Sequence, residues 1–93
     1  MRSSRIVRPM HEVLIERGAE KDLSRLSPEV FKRLVKAIRD LGDSPRSQGS
    51  KKLAGTPPGW RVRVGDYRII YEIDDRAKRI RVLKVRHRRE VYR

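Results

Sequence analysis

From Trp60 onward the chain changes its period from helical spacing to two, and this restricts the fold more than anything else in it. Trp60-Arg61-Val62-Arg63-Val64 alternates strictly, Gly65-Asp66 is a two-residue turn, and Tyr67 to Ile73 alternates again. In that second run Tyr67, Ile69, Tyr71 and Ile73 share one side; Arg68, Ile70 and Glu72 share the other. Asp74-Asp75-Arg76-Ala77-Lys78 is the next turn, and Ile80 to Val85 is apolar enough for a central strand. Three strands joined by turns this short form an antiparallel meander. An all-helical fold is thereby excluded.

The upstream half supplies the cover. His11 to Glu16 reads as a short strand that Gly18 ends, and Ala19 to Leu26 as a short helix with Ala19, Leu23 and Leu26 on one face. Ser27-Pro28-Glu29 is a helix start: a serine N-cap, proline at the first helical position and an acid in the first turn. Val30, Phe31, Leu34, Val35, Ile38 and Leu41 then make one stripe, which Gly42 closes as the C′ residue. Asp43 to Gly59 is polar and rich in Gly, Pro and Ser, hence a loop, with Lys52-Leu53 docked on the core. Residues 1–10 form a basic flexible arm carrying Arg2, Arg5 and Arg8. The expected fold is α+β in the order β-α-α-β-β-β: an N-terminal helical hairpin on a small antiparallel sheet, a single domain over residues 11–93.

At 93 residues there is room for one domain, and its formal charge of +13 calls for a polyanionic partner. The charge is uneven. Residues 1–60 carry 13 Lys/Arg against 7 Asp/Glu; residues 61–93 carry 12 against 5. There is no cysteine, so disulfides, thiolate zinc sites and thiol catalysis are excluded, and with only two histidines the composition argues against a structural metal. With no long apolar run and no signal-like segment, the expectation is a cytoplasmic protein without cofactor, metal or membrane.

The alternation collects Arg61, Arg63 and Arg68 on the side of the sheet away from the apolar residues, with Arg86, Arg88 and Tyr92 at its rim. Guanidinium forks bind phosphate in pairs of hydrogen bonds. Attack of an RNA 2′-hydroxyl on its phosphate needs cations around the phosphorane and a group that moves a proton, and no metal. Arginine supplies the first and not the second; His87 and Tyr92 are the proton-carrying groups of the basic tail. Lys51-Lys52 is a solvated loop pair or a phosphate contact. The same arginines also suit a plain solvated sheet face.

Lys52-Leu53-Ala54-Gly55, the block from Trp60 to Ile73, and Val85-Arg86-His87-Arg88-Arg89-Glu90-Val91-Tyr92 together resemble the RelE/ParE superfamily of type II toxin–antitoxin toxins, the RelE branch above all. Lys21-Asp22-Leu23 fits the first helix of that family. The resemblance spans about residues 11–93. It implies a metal-independent endoribonuclease, an mRNA interferase that cuts mRNA in the ribosomal A site and stops translation, leaving a 2′,3′-cyclic (or 3′-) phosphate and a 5′-hydroxyl. It also implies a cognate RelB-like antitoxin, acidic or amphipathic, as partner beside the ribosome and mRNA. By the same resemblance Arg61 and Arg63 contact the phosphate and help catalysis, Arg68 stabilises the transition state, Arg88 aids the leaving group, and Tyr92 stacks on the base or orients the 2′-hydroxyl. His87 or Tyr92 moves the proton. Lys51, Lys52, Arg86 and Arg89 are the further substrate-binding candidates. Three departures stand out: the strand positions hold Arg rather than Lys, the stretch between Val85 and Tyr92 is shorter than in the best-known RelE so that Arg86 and Arg88 compete for one role, and Arg86 replaces a glycine common in this segment. The alternative within the superfamily is a ParE-like inhibitor of DNA gyrase that is not an enzyme.

Overall fold

The computed structural model describes residues 11–46, 49–55 and 59–91. Along these run β1 (Glu12–Ile15), α1 (Arg17–Ser24), α2 (Pro28–Leu41), β2 (Ser50–Lys52), β3 (Trp60–Val64), β4 (Tyr67–Asp74), β5 (Arg79–His87) and a one-turn α3 (Arg88–Val91). They form a five-stranded sheet in the order β1-β5-β4-β3-β2, with α1 and α2 packed on one face. The β3–β4–β5 meander is antiparallel as expected, and β1 joins it parallel to β5, Glu12 opposite Arg79 and Ile15 opposite Val82.

The expected apolar side is the core. Val62, Ile69, Tyr71, Ile80, Val82 and Val85 are buried beneath Ala19 and Leu23 of α1 and Leu34, Ile38 and Leu41 of α2. Ser27 caps α2, its Oγ accepting the Val30 N–H at 3.4 Å, and Pro28 opens the helix. Phe31 belongs to the stripe by spacing but lies near the helix start and stays exposed. Between β3 and β4, Gly65 takes φ +61, the conformation a two-residue hairpin turn demands and glycine adopts without steric penalty.

Four local features differ from the sequence reading. Ser50-Lys51-Lys52 is a strand rather than part of a loop: with no alternation of its own, it is imposed by the open edge of β3, to which Ser50 pairs at Val62 and Lys52 at Trp60. The basic tail begins with a helical turn at Arg88, whose N–H donates to the Asp66 carbonyl at 2.6 Å. Gly42 ends α2 with φ −60, not in the left-handed region; it is buried, and its carbonyl accepts the His11 N–H at 2.9 Å. Gly18 lies inside α1 rather than before it, and there the helix passes β5 so closely that a β-carbon would stand 3.2 Å from the Leu83 carbonyl oxygen.

A bulge in β5 sets which side chains face the helices. Ile70 pairs with Lys84 but Tyr71 pairs with Val82, leaving Leu83 as the extra residue. Val82 and Val85, an odd number of positions apart, therefore both point into the core. The arm at 1–10 and Tyr92 lie outside the described residues. No helix among those described is long and apolar enough to cross a membrane.

Candidate functional site

The strand register turns the scattered arginines into rows. Arg63 pairs with Arg68 and Arg68 with Arg86, so three guanidinium-bearing residues stand abreast on β3, β4 and β5. One step along, Lys51, Arg61, Ile70 and Lys84 form the next row across β2 to β5. Both rows leave the sheet on the side away from the core residues, by alternation with buried Val62, Ile69 and Val85. Lys84 and the ordering of the rows were missed from sequence, because both depend on the bulge at Leu83.

Burial differs along the rows. Arg68 is only 4% exposed, Arg61 is half-buried, and Arg63 is exposed. The Nε of Arg61 is buried with no hydrogen-bond partner among the described residues. Polar atoms in that condition are rare in native interiors. Lys51 points with Arg61, whereas Lys52, opposite Trp60, falls on the other face. Both lysines are exposed.

The remainder of the same sheet face is electrically balanced. Arg79 Nε meets Glu12 at 3.2 Å, Arg81 Nε meets Glu16 at 3.0 Å, and Arg81 Nη1 lies 3.7 Å from Glu72. The Glu16 carboxylate raises the Arg81 pKa above its ordinary value. Exposed pairs of this kind add little stability. What they change is the field: the β1 side carries matched charge, and the β2–β3–β4 side carries cations. No carboxylate is paired to Lys51, Arg61, Arg63 or Lys84 among the described salt bridges.

Arg86 is the exception within its row. Its Nη1 donates to Asp22 Oδ2 at 2.5 Å, and the same oxygen accepts the Val85 N–H at 2.9 Å. Asp22 had drawn notice only as part of the resemblance in the first helix; a lone acid beside Leu23 carries no signal of what it will reach.

His87 goes to the opposite side of the sheet from the rows. It pairs with Tyr67 in the β4–β5 ladder and meets that ring edge-on, centroids 5.2 Å apart. Its Nδ1 accepts the Arg89 N–H at 3.3 Å, which holds the start of α3. Arg88 and Arg89 are exposed there. Arg61, Arg63, Arg68 and Lys51 are thus brought together, His87 is on the other face beside them, and Tyr92 is outside the described residues.

A second cluster braces the far end of the sheet. Arg46 binds Asp75 with two hydrogen bonds, of 3.3 and 2.7 Å, and its guanidinium sits 5.3 Å from the centre of the Trp60 ring. His11 Nε2 lies 3.2 Å from the same carboxylate. Arg46, then His11, pull the Asp75 pKa below the usual carboxylate range, and Asp75 pushes that of Arg46 up. Tyr71 donates to the Pro45 carbonyl at 2.6 Å, and burial raises its phenol pKa. Arg46 was not anticipated; nothing in a polar loop marks which arginine will fold back.

The family model describing the ParE toxin of type II toxin–antitoxin systems, parDE, matches residues 13–92. The chain is 37% identical over 79 residues to Toxin RelG of Mycobacterium tuberculosis (strain ATCC 25618 / H37Rv), covering 81% of this chain and 87% of the relative. Its fold is similar to that in the archaeal RelE–RelB complex from Pyrococcus horikoshii OT3, with a TM-score of 0.76, 30% identity, and 85% and 96% of the two chains covered. It is also similar to the toxin–antitoxin complex RelBE2 from Mycobacterium tuberculosis, with a TM-score of 0.75, 32% identity, and 86% and 99% covered.

Proposed function

The chain belongs to the RelE/ParE superfamily of type II toxin–antitoxin toxins, and on that premise we propose that it is a metal-independent endoribonuclease that cuts mRNA in the ribosomal A site. The observation that carries this reading is the gathering of cations on one half of the sheet face: Arg63 abreast of a buried Arg68, with the unpartnered Nε of Arg61 beside them. A desolvated guanidinium next to a second one suits a dianionic phosphorane far better than a solvated surface does.

In the proposed reaction the RNA 2′-oxygen attacks its phosphorus and the bond to O5′ breaks. Tyr92 relays the proton of the 2′-oxygen to solvent and O5′ takes a proton up from solvent, giving a 2′,3′-cyclic phosphate and a 5′-hydroxyl. Arg61, Arg63 and Arg68 bind the phosphate oxygens and gain most as charge builds on them. Arg88, carried by α3, faces the leaving group. His87 acts by fixing α3 through the Arg89 N–H, and Tyr92 positions the base or the 2′-hydroxyl. Lys51 and Arg89 extend the contact to neighbouring phosphates.

The two similar complexes are of RelE-type toxins with RelB-type antitoxins, and a cognate RelB-like antitoxin presenting acids to the arginine rows is the proposed partner here. The proposed place of action is the cytoplasm, on translating ribosomes.

Primer extension on mRNA in a translating extract tests the reading. Discrete cuts within A-site codons, lost in Arg68→Ala and reduced in Tyr92→Phe, are expected. Intact mRNA alongside blocked DNA gyrase would replace it with the ParE-like reading, which the name of the matching family model favours.

A further inference from the structure

Arg86 stands in the arginine row by register and is turned out of it by one carboxylate. Its side chain starts from the same sheet face as Arg68, yet the guanidinium folds over the edge of β5 to Asp22 on α1. That edge is open because β1 pairs with β5 only as far as Val82, while β5 continues to His87. Asp22 fills the gap. It accepts the Val85 N–H that a neighbouring strand would otherwise take, and it holds Arg86 with the same oxygen. A second bond from Arg86 Nη1 to its own strand, 3.3 Å to the Val85 carbonyl, turns the group further toward the edge. The Asp22 side chain is 17% exposed and that of Arg86 35%, so water screens the pair only in part.

We propose that Asp22 is a positioning residue that withholds Arg86 from the phosphate seat, leaving the reacting phosphate to Arg63 and Arg68 of that row and to Arg61 beside them. This rests on the nuclease reading above. A third guanidinium in the row would bind the substrate's phosphate as firmly as the transition state's, which tightens binding without speeding the chemistry. It would also bring a third like charge against Arg68. The carboxylate removes both effects.

Asp22→Asn separates this role from a structural one. The amide oxygen still accepts the Val85 N–H, while the charge that holds Arg86 is gone. Binding is measured across salt concentrations with a short single-stranded RNA whose 2′-hydroxyls are methylated, so that it binds and cannot be cut. The freed Arg86 is expected to steepen the salt slope by about 0.7, the value for one added phosphate contact on a single strand. KM for a cleavable RNA is expected to fall with no gain in kcat. In an Arg86→Met background the same Asp22 change should leave the slope where it was, and Asp22→Glu should restore the original slope. A loss of stability with an unchanged slope would overturn the proposal, as would an equal change in slope with Arg86 absent. Asp22→Ser, which also keeps an acceptor for Val85, gives the same reading should the asparagine variant not fold. A wild-type chain that binds the methylated RNA but cuts no message would sink the nuclease reading alone, since the slopes are read without cleavage.

Discussion

Arg63 stands directly opposite Arg68 across the β3–β4 ladder, two like charges in a position where strand pairs gain from opposite ones. The exposed Arg63 meets a partner that is almost fully buried, so the pair works against the sheet it belongs to. Replacing Arg63 with threonine, a good strand residue, is therefore expected to stabilise the fold by about 0.2–1 kcal/mol. The same change should lower RNA cleavage. Urea unfolding and a cleavage assay on one preparation check both; a variant that is both less stable and fully active would contradict the assignment of this pair to the site.

The two neighbouring lysines of β2 provide a test of the register. Lys51 points with Arg61 and Lys52 with Trp60. Lys51→Gln should flatten the salt dependence of RNA binding by about 0.7 in slope, while Lys52→Gln flattens it less. Equal effects would mean that the rows do not define the RNA-facing side.

The cluster at Asp75 makes a statement about acid stability. Its carboxyl is held below the ordinary range chiefly by Arg46, then by His11. A depressed folded-state pKa means that the unfolded chain takes up the proton first. The contribution is complete above the ordinary carboxylate pKa and is lost as pH falls through the lowered one. Thermal midpoints measured from neutral pH downward should converge for the wild type and Asp75→Asn at the acid end, with the wild type higher at neutral pH. A constant gap across that range would refute the linkage. Tyr71 has the opposite sense: its pKa is raised, so its contribution holds below the ordinary phenol pKa and is lost as pH climbs through the raised value.

His87 is assigned a positional role because its Nδ1 holds the Arg89 N–H and its ring rests on Tyr67. Asparagine can accept the same N–H, so His87→Asn should keep most of the cleavage activity and the shape of the pH–rate profile. Disappearance of an acidic limb in that variant would return the imidazole to proton transfer.

Much of this was legible in the sequence, for reasons that differ by element. Ser27-Pro28 announced α2 because capping is local chemistry, and the alternation from Trp60 to Ile73 announced both the core side and the Arg61, Arg63 and Arg68 side because a strand's period is also local. What escaped depended on partners distant in sequence. Ser50-Lys51-Lys52 is a strand only because β3 has an open edge. The Asp22–Arg86 pair spans 64 positions, and Arg46–Asp75 spans 29. His87, sequentially beside Arg86 and Arg88, looked like a member of the same group; the period of two sends it to the other face.

The bulge at Leu83 makes β5 two strands in one, out of step by a single residue. Before it, the strand's phase serves the interior shared with β1; after it, the phase is reset for the end that carries Val85, Arg86 and His87. Substitutions in either half leave this timing intact. A one-residue deletion at Leu83 would keep the faces as well: with the extra residue gone, Tyr71 still meets Val82, Ile70 still meets Lys84, and Val85 and Arg86 stay on their own sides of an unbroken ladder. The phase of the end that carries Arg86 is thus held by its pairing with β4, and the bulge is a place in β5 where a residue can be lost without turning side chains over.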